Sequence, residues 1–177
     1  MTFELARRGD IGDVMRIVGD AQAYLRECGV DQWQDGYPPR ARLEADIAGD
    51  RLYVLREDGA VAGFCALYIG DEEPTYRVIR GSGWSCERRY TTVHRMALAR
   101  GFRGRGAAGL MLAEAERMSA QRAVTYMRAD THRDNAAMQR ALERAGYSRR
   151  GVIWVESGAE RIAFDKLLQG VFCRAVN

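Results

Sequence analysis

Lysine is nearly missing from this chain. All but one of its 27 basic residues are arginine, and the exception is Lys166. One phosphate-binding device is excluded at once, because a P-loop needs Lys followed by Ser or Thr after its second glycine. Cysteine is sparse as well. Cys28, Cys65, Cys86 and Cys173 lie far apart with no C-x-x-C pair. That removes the usual zinc and dithiol spacings and predicts isolated reduced thiols. No apolar run approaches the roughly 20 residues that cross a bilayer. Glu4 and Arg7 come too early for a secretory signal. No membrane partner and a cytoplasmic location are therefore expected. A formal net charge of +3 gives no electrostatic case for nucleic acid. Internal repeats and low-complexity linkers are missing too.

The 177 residues, 47% hydrophobic and 29% charged, suit one globular domain with one core. Its expected extent is residues 1–168, with a tail over 169–177 that carries no readable pattern. Whether the chain works alone or as a homodimer stays open.

Hydrophobic periodicity supplies the elements. Residues 3–7 read as a short strand. Apolar residues at 11, 14, 15, 18, 21 and 25 predict a helix over 11–26, with Asp10 as its cap. A loop over 29–39 precedes a helix over 40–48. Strands over 51–57 and 60–69 flank Asp58-Gly59, a strong hairpin signal. Residues 70–90 read as irregular. A strand over 91–99, a helix over 106–122, a strand over 124–130 and a helix over 135–145 follow, the last stopped by Gly146. A hairpin of strands 147–155 and 160–167 closes the pattern. This order predicts a mixed α/β layer protein with helices on both faces of one sheet.

The most informative stretch runs from His94 to Gly109. An apolar strand ends in a basic, glycine-dense turn that opens into a helix. Glycines leave backbone N–H groups open to close approach, and the helix start adds partial positive charge. The combination forms a seat for phosphate or pyrophosphate. Gly104, Gly106 and Gly109 match the dinucleotide pattern G-x-G-x-x-G, with Asp130 ending the next strand. Two facts oppose that reading. Residues 99–103 separate the strand from the first glycine, where the dinucleotide fold needs a tight turn. Some 90 residues also precede the motif, leaving too little chain for a full nucleotide domain.

A different resemblance covers more of the chain. Arg103-Gly104-Arg105-Gly106-Ala107-Ala108 resembles the pyrophosphate loop of the GNAT superfamily of N-acetyltransferases. The preceding His-Arg-Met-Ala-Leu-Ala is similar to that superfamily's central strand. Asp134-Asn135-Ala136-Ala137-Met138 and Glu143-Arg144-Ala145-Gly146-Tyr147 resemble its next block. The likeness implies the GNAT fold: a mixed central sheet in which two parallel strands, here 91–99 and 124–130, splay apart. It implies acetyl-CoA as cofactor, with the pantetheine arm against the backbone of Met96, Ala97 and Leu98. The pyrophosphate is then expected on Arg103, Gly104, Arg105, Gly106, Ala107, Ala108 and Gly109, with Asn135 as a further contact. Asn135 is equally placed to cap the following helix.

Acetyl transfer to an amine requires loss of a proton, a polarised carbonyl and a stabilised thiolate. His94 is the base candidate. Arylalkylamine acetyltransferases, a GNAT branch, carry a catalytic His at the matching distance before the loop. Asp130 is a second catalytic candidate, with capping of the turn before Asn135 as its other role. The family's Tyr acid has no counterpart, because Leu142 occupies its position. Trp33 and Tyr37 in the loop, and Trp84 in the irregular stretch, are candidate acceptor-binding residues. Asp31, Asp35, Glu72, Glu73 and Glu87 offer carboxylates for a cationic acceptor. The expected function is acetyl transfer from acetyl-CoA to a primary amine on a small molecule. The other reading is a CoA-binding sensor without turnover, and its motive is Leu142.

Overall fold

A computed structural model describes residues 1–168; the expected tail lies outside them. Eight strands form one sheet in the order β1-β2-β3-β5-β6-β8-β7-β4. These are β1 (Thr2–Leu5), β2 (Leu52–Glu57), β3 (Ala60–Ile69), β4 (Arg80–Gly81), β5 (Thr91–Leu98), β6 (Tyr126–Thr131), β7 (Ser148–Trp154) and β8 (Glu160–Leu167). The helices are α1 (Ile11–Glu27), α2 (Arg40–Ala48), α3 (Ala107–Gln121) and α4 (Ala136–Arg144). Only β5 and β6 run parallel, and every other neighbouring pair is antiparallel. A dinucleotide fold is built on a mostly parallel sheet, so that reading is excluded.

The helices divide between the two faces, and strand alternation shows why. Tyr53 and Leu55 of β2 join Met111, Leu112 and Ala115 of α3 and Leu142 of α4 in one buried cluster. Leu52 and Val54 point the other way, to Val14, Ile17 and Val18 of α1 and Leu43 and Ile47 of α2. A strand covered on both faces reads as a continuous apolar run, as Leu52–Leu55 does. In α1 the buried set is 11, 14, 17, 18, 21 and 25; Met15 sits at the edge of the stripe. The β2–β3 turn places Asp58 and Gly59 at φ 50° and 82°, as a two-residue hairpin of this type requires.

Three expectations are corrected. Asp10 does not cap α1. Its carboxylate turns back to the Arg7 N–H at 2.7 Å and pairs with Arg56, also at 2.7 Å. Residues 70–90 are not wholly irregular. They hold a single helical turn, Pro74–Tyr76, and the short strand β4, which pairs with β7 at the sheet edge. A two-residue strand has no alternation for a sequence pattern to detect. Third, the first strand stops at Leu5.

Lys166 on β8 is committed. Its ammonium lies 2.6 Å from Glu116 Oε2 and 2.7 Å from the Ala145 carbonyl. No helix among the described residues is long and apolar enough to cross a membrane.

Candidate active site

The site begins where β5 and β6 part. They pair over Thr91↔Met127, Thr92↔Arg128 and Val93↔Ala129 and no further. The next rung would hold His94 and Asp130. The two catalytic candidates therefore face each other across the first open rung of the sheet.

A bulge on the other side of β5 accompanies the parting. Its register with β3 runs His94↔Ala66 and then Ala97↔Phe64, so β5 carries an extra residue. Arg95 takes the left-handed conformation, φ 53°, which a non-glycine residue adopts only when its surroundings hold it there. Its guanidinium is buried. It faces Asp46 Oδ2 at 2.8 Å and donates to the Tyr68 and Tyr37 hydroxyls at 2.9 and 3.0 Å. Tyr68 in turn donates to Asp46 Oδ1 at 2.6 Å. Beyond the bulge, the Ala99 N–H bonds the Ala62 carbonyl. Antiparallel alternation then turns the backbone groups of Leu98 toward the gap, while Ala97 stays with Phe64.

The gap runs down to the glycine turn. Gly104 and Gly106 have φ values of 76° and 80°, a conformation favouring glycine. Gly106 stands immediately before α3. Among the described residues, nothing accepts from the N–H groups of Gly104 to Gly109, which gather at the positive end of a helix dipole. The arginine side chains are engaged elsewhere. Arg103 donates to the Asp20 carbonyl at 2.8 Å and lies over the Tyr24 ring. Arg105 pairs with Glu57 at 3.1 Å. What this turn leaves unengaged is therefore backbone N–H and the helix dipole, not arginine side chains.

Around the open rung stand two polar pairs. His94 Nε2 lies 3.0 Å from Glu73 Oε2. Tyr76 donates to Asp130 Oδ1 at 2.8 Å, so Asp130 is not a cap; Asn135 does the capping. Burial alone would raise the Glu73 pKa. Hydrogen bonds from His94 and Thr75 more than offset it, and the carboxyl sits at about 2. Burial, with Asp130 beside it, pushes the Tyr76 phenol well above its ordinary value. Glu73 is thus anionic and Tyr76 protonated near neutrality. Tyr68 meets the His94 ring edge-on, 5.2 Å between centroids.

The remaining candidates separate. Tyr37 joins the site through Arg95. Trp33 lies 6.3 Å from Tyr37 and packs on the α1–α2 side. Trp84 has a bracing position: its ring is 5.0 Å from Tyr76 and its N–H donates to the Tyr76 carbonyl. Asn135 accepts from the Met138 N–H at 3.1 Å, capping α4, and donates to Gln32 of the 29–39 loop at 2.8 Å. Met96 sits in the bulge, half-buried, and Ala97 is buried. His132 bonds its own loop through the Asp134 N–H; burial, then Arg161, lowers its pKa. Leu142 is fully buried on α4 and holds no proton to give.

Glu73 entered the sequence reading only as one carboxylate among several. Tyr76, Tyr68, Asp46 and Arg95 did not enter it. The detectable signal was Asp46, three residues from Leu43 and beside Ile47 on the buried side of α2. A charge there needs a buried partner.

The family model described as acetyltransferase (GNAT) family matches residues 19–147. The chain belongs to that family. A crystal structure of a GNAT-family acetyltransferase from Streptococcus agalactiae 2603 is 32% identical, with a TM-score of 0.87 and 96% of each chain covered. One from Listeria monocytogenes 4b F2365 is 19% identical, with a TM-score of 0.71 and 94% of each chain covered. The ribosomal-protein-alanine N-acetyltransferase of Brucella melitensis is 17% identical at a TM-score of 0.68, covering 95% of this chain and all of its own (100%). The last two are likenesses of fold. No curated protein sequence matches.

Proposed function

We propose that this acetyltransferase moves an acetyl group from acetyl-CoA to a primary amine on a small molecule. One observation carries the reading. The β5–β6 pairing stops before His94 and Asp130, and beyond β5 the chain leads to the N–H groups of Gly104 to Gly109, which meet no acceptor among the described residues.

The residues fit CoA. The glycine turn presents donors to a pyrophosphate, and the gap beside Leu98 offers strand-edge groups to the amides of pantetheine. When bound, acetyl-CoA supplies the thioester carbonyl and a thiolate leaving group. The chain does the rest. With Glu73 anionic, the His94 Nε2–H donates to it, which leaves Nδ1 as the nitrogen with a free lone pair. Nδ1 takes the proton of the incoming ammonium, and Glu73 stabilises the imidazolium that results. Asp130 and Glu73 make the approach negative, which favours a cationic acceptor. Among the phenols, Tyr76 stands at the open rung with its proton retained. Tyr147 is buried among α3 and α4 side chains.

One observation favours the other reading, a CoA-binding domain without turnover: Leu142 replaces the family's acid. Thermal unfolding and turnover together separate the readings. CoA at about 100 times its Kd should add roughly 2.7 kcal/mol of stability, and NAD or ATP should add far less. Acetyl-CoA should be consumed only when an amine is present. Stabilisation by CoA without turnover on any amine would leave the sensor; no stabilisation would remove the CoA assignment itself.

The pyrophosphate seat gives a second test. Gly106→Asp sets a carboxylate among those N–H groups, and Asp tolerates left-handed backbone better than most residues. Acetyl-CoA affinity should fall at least tenfold, about 1.4 kcal/mol, with the far-ultraviolet circular dichroism unchanged. A folded variant of wild-type affinity would contradict the placement.

A further inference from the structure

We propose that Arg128 is a positioning residue for this site. It holds the 70–90 connection so that Glu73 and Tyr76 meet His94 and Asp130.

Arg128 stands on β6, two residues before Asp130 and therefore on the same face. It is only 3% exposed. Three aromatic rings surround its guanidinium carbon: Tyr90 at 4.1 Å, Trp84 at 4.2 Å and Tyr126 at 5.0 Å from the ring centroids. One N–H donates to the Cys86 carbonyl at 2.9 Å. A planar guanidinium both attracts these rings and fixes their tilt.

Each of the two nearest rings reaches the reacting groups by one further bond. The Tyr90 hydroxyl accepts the Glu73 N–H at 2.9 Å, and Glu73 meets His94. The Trp84 indole donates to the Tyr76 carbonyl and packs on the Tyr76 ring, and Tyr76 meets Asp130. Two of the four groups at the open rung thus ride on a connection that Arg128 clasps. Other anchors hold the backbone of that connection, notably Ser85 on Asp165 and β4 on β7. The Tyr76 ring also packs against Ile153 of β7 and Ala163 of β8, while Glu73 is reached through the Tyr90 hydroxyl.

The energetics point the same way. Among the described residues, Nε of Arg128 has no partner, nor has Thr92 Oγ1 on the opposed residue of β5. The nearest carboxylate, Glu87, is 4.0 Å away and 90% exposed. The buried Asp165 lies opposite on β8 but is bonded to Ser85 and Tyr126, and a buried cation without a close carboxylate costs stability that an apolar side chain would not. What the guanidinium returns is orientation of the rings around it.

The role in turnover rests on the acetyl-transfer reading; the role in placement does not. Arg128→Met and Trp84→Leu test both. The chain has two histidines, so its imidazole carbon-bound proton signals are easily told apart. Each variant should move the His94 signal and leave that of His132 in place. Turnover at saturating amine should fall on the order of 10²-fold, as a displacement near 1 Å produces, with KM for acetyl-CoA unchanged. Arg128→Lys keeps a cation without the flat stack and should fall between. If Arg128→Met fails to fold, Trp84→Leu carries the test with Arg128 intact. Wild-type His94 signals in a folded variant overturn the proposal, and so does a KM for acetyl-CoA that rises in step with the loss of turnover. A wild type inert toward every amine overturns acetyl transfer instead, while the His94 signal still decides the placement.

Discussion

His94→Ala should slow transfer to an amine by roughly 10² to 10⁴, the range a positioned acid–base group contributes. Affinity for acetyl-CoA should stay close to wild type. The N–H groups of Gly104 to Gly109 lie at the far end of the gap, and no His94 contact supports them. If the wild-type pH–rate profile has a limb that belongs to the His94 base, that limb should disappear with the side chain. A His94 that merely ties β5 to Glu73 gives another result: a lower melting temperature, weaker cofactor binding and a limb still present. The high-pH side tests the acid. Leu142 supplies no phenol, and burial beside Asp130 holds the Tyr76 phenol well above its ordinary value. Loss of rate should therefore not set in near pH 10, the ordinary Tyr range. A falling limb there would mean that a more exposed tyrosine gives up the proton.

Asp46→Ala should lose about 3–5 kcal/mol of folding stability, the cost of leaving one charge of a buried pair alone. Arg95 would keep two phenol oxygens and no anion. The same variant removes what holds Arg95 at φ 53°, so the bulge and the gap behind it should relax together. Chemical denaturation reads the first effect, and weakened acetyl-CoA binding the second. The double variant Asp46→Leu/Arg95→Met should recover much of the stability, since apolar replacement of a buried pair is often neutral. It should not recover binding. A loss below about 1 kcal/mol in the single variant, the range of an exposed pair, would mean that the pair contributes no more than a surface one.

The helices and strands were legible because their apolar periods are unbroken. The stripe at 14, 18, 21 and 25 and the run Leu52–Leu55 each carry one consistent signal. The glycine turn before α3 was legible because glycine spacing is local. What escaped the sequence is what depends on distance along the chain. Glu73 and His94 lie 21 residues apart, and Tyr76 and Asp130 lie 54 apart. Nothing in residues 70–90 repeats with a period of 2 or 3.6. Arg95 reads as one more polar position in a strand until Asp46 is seen beneath it. Trp84 read as a binding aromatic because loops that carry large rings often bind; its ring lies against Arg128 and Tyr76.

The scarcity of lysine has a chemical consequence. A thioester acylates free amines, and a guanidinium stays protonated and unreactive at any working pH. This chain carries its positive charge almost wholly as guanidinium. Its one side-chain amine is held between Glu116 and the Ala145 carbonyl. On the acetyl-transfer reading, the side chains thus offer the thioester hardly any amine to consume, and an entering acceptor meets little competition from them.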